Sequence, residues 1–132
     1  MLIERQDIED AARTIQRWLS PTPLIRSDRL SRKLGANIFF KLETLQPTHS
    51  FKVRGAFNSM SRLPEDVRSR GVVTASGGNH GLAIAFAAAA LGIPATVLLP
   101  AKTPAERINA IRALNAKVVL HGASWDDANV EA

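Results

Sequence analysis

Cysteine and tyrosine are absent from this chain, and aromatic residues of any kind are sparse. The 132 residues contain no cysteine, no tyrosine, five phenylalanines and two tryptophans. Without cysteine the chain has no disulfide, no thiol nucleophile and no cysteine metal site. The shortage of rings also argues against a stacking platform for single-stranded nucleic acid, which needs exposed aromatics for the bases. We therefore expect neither a metal nor a nucleic-acid partner.

Runs of one charge sign are also lacking, although the chain as a whole is basic. Seventeen Lys and Arg residues stand against twelve Asp and Glu residues, which gives a formal net charge of +5. The positive residues are scattered from Arg5 to Lys117. A nucleic-acid site needs a clustered basic patch, so this scatter favours solvated helix faces.

Neither the first residues nor the longest uncharged run is typical of a secretory signal or a membrane span. The N-terminal residues read MLIERQDIEDAARTIQRW and carry charges throughout. The uncharged stretch from Leu82 to Leu99 is interrupted at Gly92-Ile93-Pro94, between an Ala-rich half and a strand-like half. It is best interpreted as a buried helix followed by a buried strand. We expect a cytoplasmic protein without membrane contact.

The order of the predicted elements indicates an α/β fold. An amphipathic helix from Ile8 to Leu19 ends before Pro21. The further expected helices cover residues 28–34 (capped by Ser27 and Gly35), 51–62, 80–91, 104–114 (with Thr103 and Glu106 forming a capping box) and a start after Ser124. The expected strands cover residues 24–26, 37–43, 72–75, 95–99 and 117–120. Short strand–helix–strand repeats predict a parallel sheet with helices on both faces. The last helix has barely started at Ala132, which favours a truncated domain.

The segment of residues 74–81, TASGGNHG, joins a predicted strand to a predicted helix. Such a turn presents backbone N–H groups and the positive end of a helix dipole, and glycine lets an anion approach closely. Open α/β sheets bind ligands at this end of their strands. A phosphate or carboxylate is the natural guest. The alternative is a tight turn with Asn79 as a mere helix cap.

Lys52 lies in the second conspicuous segment, residues 41–56, which reads KLETLQPTHSFKVRGA. Partial burial beside the cation Arg54 would lower the pKa of the lysine and free its amine for imine formation. The alternative is an ordinary solvated lysine near a helix start.

Together these segments resemble fold type II pyridoxal-phosphate (PLP) enzymes of the threonine dehydratase and serine racemase branch. The resemblance covers nearly the whole chain. It begins at Thr22-Pro23-Leu24, continues through Lys41-Leu42-Glu43 and Leu45-Gln46-Pro47-Thr48, centres on residues 50–56 and ends with residues 76–80. Each piece is modest, but the ordered set is highly specific.

The resemblance implies a role for each matching residue. Lys52 would form the Schiff base with PLP, and Phe51 would pack near the cofactor. Asn79 would bind the ring hydroxyl and also belong to the substrate loop. That loop, comprising Ser76, Gly77, Gly78, Asn79 and His80, would receive the substrate carboxylate. Arg54 is expected to be structural rather than catalytic, and His80 a packing or hydrogen-bonding residue.

The implied reaction is conversion of a β-hydroxy amino acid such as L-threonine or L-serine to a 2-oxo acid and ammonia. Val53 stands where cysteine synthase-like relatives carry aspartate, and Gly77 stands where serine racemases carry a second serine. Both residues favour a dehydratase over β-replacement or racemisation. His49 departs from the glycine common in the family, and no Gly-rich loop for the cofactor phosphate occurs in these residues.

The resemblance also implies a domain division, with residues 1–50 belonging to a large domain and residues 51–132 forming an incomplete small domain. A homo-oligomer is expected for the full-length protein, and weak cofactor binding at best for this chain alone. A non-catalytic anion-binding module remains the alternative from another class.

Overall fold

A computed structural model describes residues 2–132. Seven α-helices and five β-strands follow one another in these residues. The helices are α1 (Arg5–Ile15), α2 (Asp28–Leu34), α3 (Lys52–Met60), α4 (Glu65–Arg70), α5 (Asn79–Leu91), α6 (Ala105–Arg112) and α7 (Trp125–Glu131). The strands are β1 (Leu24–Arg26), β2 (Phe39–Lys41), β3 (Val72–Ala75), β4 (Ala95–Leu99) and β5 (Lys117–Leu120).

The central sheet is parallel and has the strand order β3-β4-β5. Alternate side chains of β4 pack into two separate cores, because successive residues of a strand point to opposite faces of the sheet. Val97 and Leu99 pack into a large core with helices on one face, whereas Leu98 packs with Ala75 and Ala128 of α7 on the other. The predicted α/β class, with helices on both faces of a parallel sheet, is confirmed.

Helix α5 is a buried helix, as its sequence predicts. Ala83, Ala85, Ala87 and Ala88 are all buried, and their small side chains allow α3 to pack closely against α5. Val53 and Phe57 of α3 are fully buried in the same core. This packing determines where the first residue of α3, Lys52, lies relative to the start of α5. Among residues 2–132, no helix is long and apolar enough to cross a membrane.

The end of the N-terminal helix and the turns after it share the large core with α3. The Trp18 ring stacks on Phe57 with 5.0 Å between centroids, and Phe57 meets Phe86 of α5 edge-on at 6.1 Å. Ile15 and Leu19 are buried in the same cluster. The large core therefore contains residues from both sides of the domain division that the sequence predicts between residues 50 and 51. That division stays a prediction.

Several sequence-predicted boundaries differ from the structure. Helix α1 ends at Ile15 and continues only as turns, β2 is confined to three residues, and Glu43 lies in a 3₁₀ turn (Glu43–Leu45) instead of a strand. Helix α3 is shorter than predicted, α6 ends at Arg112, and α4 was not predicted. Strand pairing explains the short length of β2, because only Phe39–Lys41 pair with β1, in an antiparallel ladder.

The predicted capping box of α6 is wrong. Pro104 is the N-cap residue, with a non-helical ψ of 140°, so the helix begins at Ala105 and no side chain caps it. Thr103 therefore lies one residue too early to act as the cap. The predicted cap of α2 is confirmed, since the Ser27 hydroxyl accepts from the Leu30 amide and Gly35 ends the helix in the left-handed region at φ 62°.

Candidate functional site

The loop of residues 76–80 connects β3 to α5 at the carboxyl end of the parallel sheet. The Ser76 amide donates to the Leu98 carbonyl at 3.1 Å, which holds the loop to β4. The Ser76 hydroxyl accepts from the Gly78 amide at 3.3 Å. This bond closes the turn and directs the chain into the helix. The loop therefore joins β3 directly to α5 as the sequence predicts, and its role in binding an anion stays a prediction.

Gly78, and not Asn79, is the N-cap of α5. Asn79 is the first helical residue, and no side chain caps the helix. Asn79 is therefore not the helix cap that the alternative interpretation assumed, whereas a plain tight turn without an anion stays open. The first-turn amides of Asn79, His80 and Gly81 have no carbonyl partner within the helix, as at any helix start. Together with the helix dipole, such amides give the helix a positive end, where carboxylates and phosphates commonly bind in proteins.

Lys52 is exposed at the beginning of α3. Its Nζ lies 5.1 Å from the centroid of the Phe51 ring, and Phe51 itself is 59% exposed. The side chain of Lys52 therefore lacks the partial burial that the sequence interpretation considered, as far as the described residues show. The contact with Phe51 places an aromatic face beside the amine.

One cleft brings the two conspicuous segments together. Its volume is about 430 Å³, and it is lined by Phe51, Lys52, Arg54, Gly55, Ala56 and His80. Lys52 comes from the first segment and His80 from the second, although they are far apart in sequence. His80 is exposed in this cleft, so it is not a packing residue, and the hydrogen-bonding role expected as the other possibility stays a prediction. The roles of Lys52, Phe51, Ser76, Gly77, Gly78, Asn79 and His80 stay predictions.

Gly81 is the last residue of the segment 74–81, and the sequence interpretation assigned it no role of its own. A β-carbon here would lie 2.2 Å from the Ser76 carbonyl oxygen and 3.1 Å from Cγ1 of Val97. The backbone of the loop and the start of α5 approach too closely for any side chain. A glycine in the first turn of an otherwise Ala-rich helix was the available signal, since alanine is the better helix former.

Arg54 belongs to a hydrogen-bonded cluster with Glu43, Thr22 and Lys41. These three residues lie in the motifs that carry the family resemblance, but the sequence interpretation assigned them no role. Its Nε and Nη2 donate to the two carboxylate oxygens of Glu43 at 2.7 and 2.8 Å. The Thr22 hydroxyl donates to Glu43 at 2.5 Å, and the Lys41 ammonium donates to the Thr22 carbonyl. The expectation that Arg54 is structural fits this arrangement, because its guanidinium is already engaged.

The Glu43 carboxylate is strongly stabilised in its charged form. The hydrogen bonds from Arg54, reinforced by Thr22 and by the charges of Arg54 and Lys41, outweigh burial and lower its pKa from 4.5 to about 2. The same bonds raise the pKa of Arg54. Because the folded-state pKa lies below the unfolded one, this stabilisation is complete above pH 4.5 and disappears as the pH falls toward 2.

A pH titration of stability checks this ion pair. Above pH 5 we expect wild-type protein to exceed Glu43→Gln in unfolding free energy by about 2 kcal/mol, allowing for the partial exposure of the pair. Near pH 2 the difference should vanish. Urea unfolding across this range gives the measurement. Asp66→Asn, which breaks the exposed pair with Arg70, is the control and should cost less than about 0.5 kcal/mol. A pH-independent difference would contradict the argument.

The fold and the site define a class. Lys52 at the start of α3 and His80 in the first turn of α5 line one cleft, and α5 follows the carboxyl end of the parallel strand β3. The sequence profile of the family described as "Pyridoxal-phosphate dependent enzyme" matches residues 15–132. The chain belongs to this family, whose cofactor is PLP.

Individual relatives agree with this assignment. The chain is 44% identical to "L-threonine ammonia-lyase" of Thermotoga maritima over 127 residues, which covers 96% of this chain and 32% of that protein. The chain spans about a third of the length of the first curated relatives that it matches.

Solved structures of fold type II PLP enzymes match the fold. Serine racemase from Dictyostelium discoideum superposes with a TM-score of 0.87 at 35% identity, covering 93% of this chain and 40% of that one. Threonine deaminase isoform 2 from Solanum lycopersicum gives 0.83 at 36% identity, with coverages of 98% and 37%.

Proposed function

We propose that this chain supplies the lysine-bearing part of the active site of a PLP-dependent ammonia-lyase. The substrate is a β-hydroxy amino acid such as L-threonine or L-serine, and the products are a 2-oxo acid and ammonia. The observation that carries the proposal is the cleft in which Lys52 and His80 lie together at the start of α5. The resemblance to threonine ammonia-lyases supplies the reaction class.

The residues present fit the reactive end of the cofactor. The exposed amine of Lys52 is accessible to an aldehyde, and the Phe51 ring beside it offers a flat apolar surface. Lys52 would hold the cofactor covalently, and Asn79 would bind its ring hydroxyl. When bound, PLP supplies an electron sink for the bond broken at the substrate α-carbon.

The protein's own contribution is orientation and proton transfer. The free amides at the start of α5, with Ser76, would hold the substrate carboxylate. A fixed carboxylate fixes which bond of the α-carbon is presented for cleavage. The amine of Lys52, once displaced by the substrate amine, would remove the α-proton.

Racemisation is the second candidate, since serine racemases are among the similar structures. A side-chain acid or base on the opposite substrate face would be needed at Gly77, which offers none. A β-carbon at Gly77 would lie 3.3 Å from Oγ1 of Thr103, so the neighbouring loop already fills part of this space. The dehydratase is therefore the better assignment.

Borohydride trapping tests the proposal directly on this chain. The protein is incubated with PLP, reduced, digested and mapped by mass spectrometry for pyridoxyl-lysine. We expect Lys52 to be labelled in preference to Lys33, Lys41, Lys102 and Lys117, because only Lys52 lines the cleft with the helix N-terminus.

Two variants make the labelling experiment specific. Lys52→Ala should lose the preferred label, whereas Lys33→Ala, which removes an exposed lysine of α2, should leave it unchanged. Uniform labelling of all lysines in the wild-type chain would show that these residues do not form the site by themselves, and the same mapping would then be made on a full-length enzyme that contains this chain. Uniform labelling there as well would favour an anion-binding module. Location in the cytoplasm and assembly into a homo-oligomer stay predictions from the sequence.

A further inference from the structure

The ion pair between Glu43 and Arg54 connects two separate parts of the chain next to Lys52. Glu43 begins the 3₁₀ turn after β2, whereas Arg54 is the third residue of α3. Both side chains are mostly shielded, with 17% and 29% of their surface exposed. Five other ion pairs of residues 2–132 join positions at most four apart, so this pair is the one that spans a longer stretch.

The geometry of the pair fixes orientation as well as distance. Two parallel N–H···O bonds hold the planar guanidinium against the carboxylate, which a single contact would not do. Glu43 is itself held by the Thr22 hydroxyl, and the Thr22 carbonyl accepts from Lys41. Arg54 is thus attached to an anchor formed by β1, β2 and the segments beside them.

The start of α3 depends on such an anchor. Its N-cap residue, Phe51, already has helical backbone angles of φ −65° and ψ −15°, and no side chain caps the helix. Side-chain caps are the usual means of fixing the first turn. In α3 the first turn is instead held by contacts of the two residues after Lys52. Val53 is fully buried, and Arg54 is bound to Glu43.

We propose that the Glu43–Arg54 pair is a positioning device for Lys52. By holding the first turn of α3 against the Thr22–Lys41 anchor, it keeps the lysine amine directed into the cleft shared with His80. The inference rests on the proposed role of Lys52. Arg54 lines the same cleft but does not serve as a substrate ligand, since Glu43 occupies its guanidinium.

Five variants of the whole chain separate positioning from stability. Arg54→Met and Glu43→Gln break the pair, and Arg54→Lys keeps the charge but cannot form two parallel bonds. Arg70→Met removes an exposed arginine as the charge control. Ile111→Val, in the buried part of α6 far along the chain, is a fifth variant that lowers stability without touching the pair.

The first readout is the share of pyridoxyl label found at Lys52 after PLP and borohydride, measured where every variant is fully folded. We expect this share to fall about fivefold in Arg54→Met and Glu43→Gln, with Arg54→Lys in between. Arg70→Met and Ile111→Val should match wild type. A preferred label at Lys52 that persists in Arg54→Met would overturn the positioning role while leaving the proposed function intact.

The second readout needs no cofactor. Backbone ¹³Cα shifts of residues 51–55 report whether the first turn of α3 is helical. They should move toward coil values in Arg54→Met and stay unchanged in Ile111→Val. If the wild-type chain shows no preferred label, the labelling does not report on the pair, and these shifts alone decide whether the pair fixes the turn. Unchanged shifts in Arg54→Met would also overturn the inference.

Discussion

Replacing Gly81 by alanine will destabilise the protein and displace the loop of residues 76–80. The new β-carbon would stand 2.2 Å from the Ser76 carbonyl oxygen, a backbone atom that no rotamer change can move aside. Overpacking of this kind costs about 1–3 kcal/mol, and alanine returns up to about 1 kcal/mol through its better helix propensity. A clash at 2.2 Å with a backbone atom belongs at the upper end of this cost, so we expect a net loss of about 2 kcal/mol and a fall in Tm of roughly 8 °C.

Gly55→Ala is the matched control for this change. Gly55 also lies in a helix, but a β-carbon there meets no atom within 4 Å. Alanine should therefore raise the unfolding free energy by up to about 1 kcal/mol. Thermal unfolding followed by circular dichroism measures both variants. Equal stability of Gly81→Ala and wild type would show that the loop yields easily, and the site would not depend on close approach at this position.

Loss of the loop geometry in Gly81→Ala should also lower the share of pyridoxyl label found at Lys52. The Ser76 carbonyl belongs to the residue that closes the turn through its hydroxyl. If the β-carbon pushes this peptide away, the amides at the start of α5 turn with it. The sequence could indicate an anion site here, but it could not indicate how little space separates the loop from the helix.

The α/β architecture could be predicted from local patterns. Strands β3, β4 and β5 have the predicted limits because their apolar runs are short and bounded by turn residues. Helix α5 could be predicted because Gly92, in the left-handed region, marks its end. Such signals are local, and the sequence shows them without knowledge of what packs where.

Features that depend on distant partners could not be predicted in the same way. The strand expected at residues 37–43 contains Glu43, whose position is set by Arg54 and Thr22 instead of a β ladder. Helix α4 is short and mostly exposed, so no apolar stripe marks it. The predicted capping box of α6 failed because a threonine and a glutamate at the right spacing do not determine where Pro104 lets the helix begin.

The candidate site shows the same division between local and long-range information. The motif around Lys52 and the loop around Asn79 could each be identified from the sequence. That Lys52 and His80 line one cleft follows from the packing of α3 on α5. Exposure of Lys52 also had to come from the structure, since neighbouring Phe51 and Val53 are apolar in sequence but only Val53 is buried.

Lys52→Ala should abolish turnover where this chain forms part of a complete enzyme. The test replaces the matched segment of the Thermotoga maritima L-threonine ammonia-lyase, which is 32% of that protein, by the matching residues of this chain. Formation of 2-oxo acid from L-threonine or L-serine is then measured. The lysine is assigned both the covalent hold on the cofactor and the transfer of the α-proton. We therefore expect activity to fall about 10⁴-fold or more.

Two further variants of the same chimera separate the amine from its charge. Lys52→Arg retains the positive charge, but its guanidinium stays protonated and cannot bind an aldehyde or accept the α-proton. It should be as inactive as Lys52→Ala. Lys33→Ala should keep wild-type activity, because that lysine lies on α2 and outside the cleft. Substantial turnover by Lys52→Arg would mean that the residue contributes only charge, and another group would have to carry the chemistry.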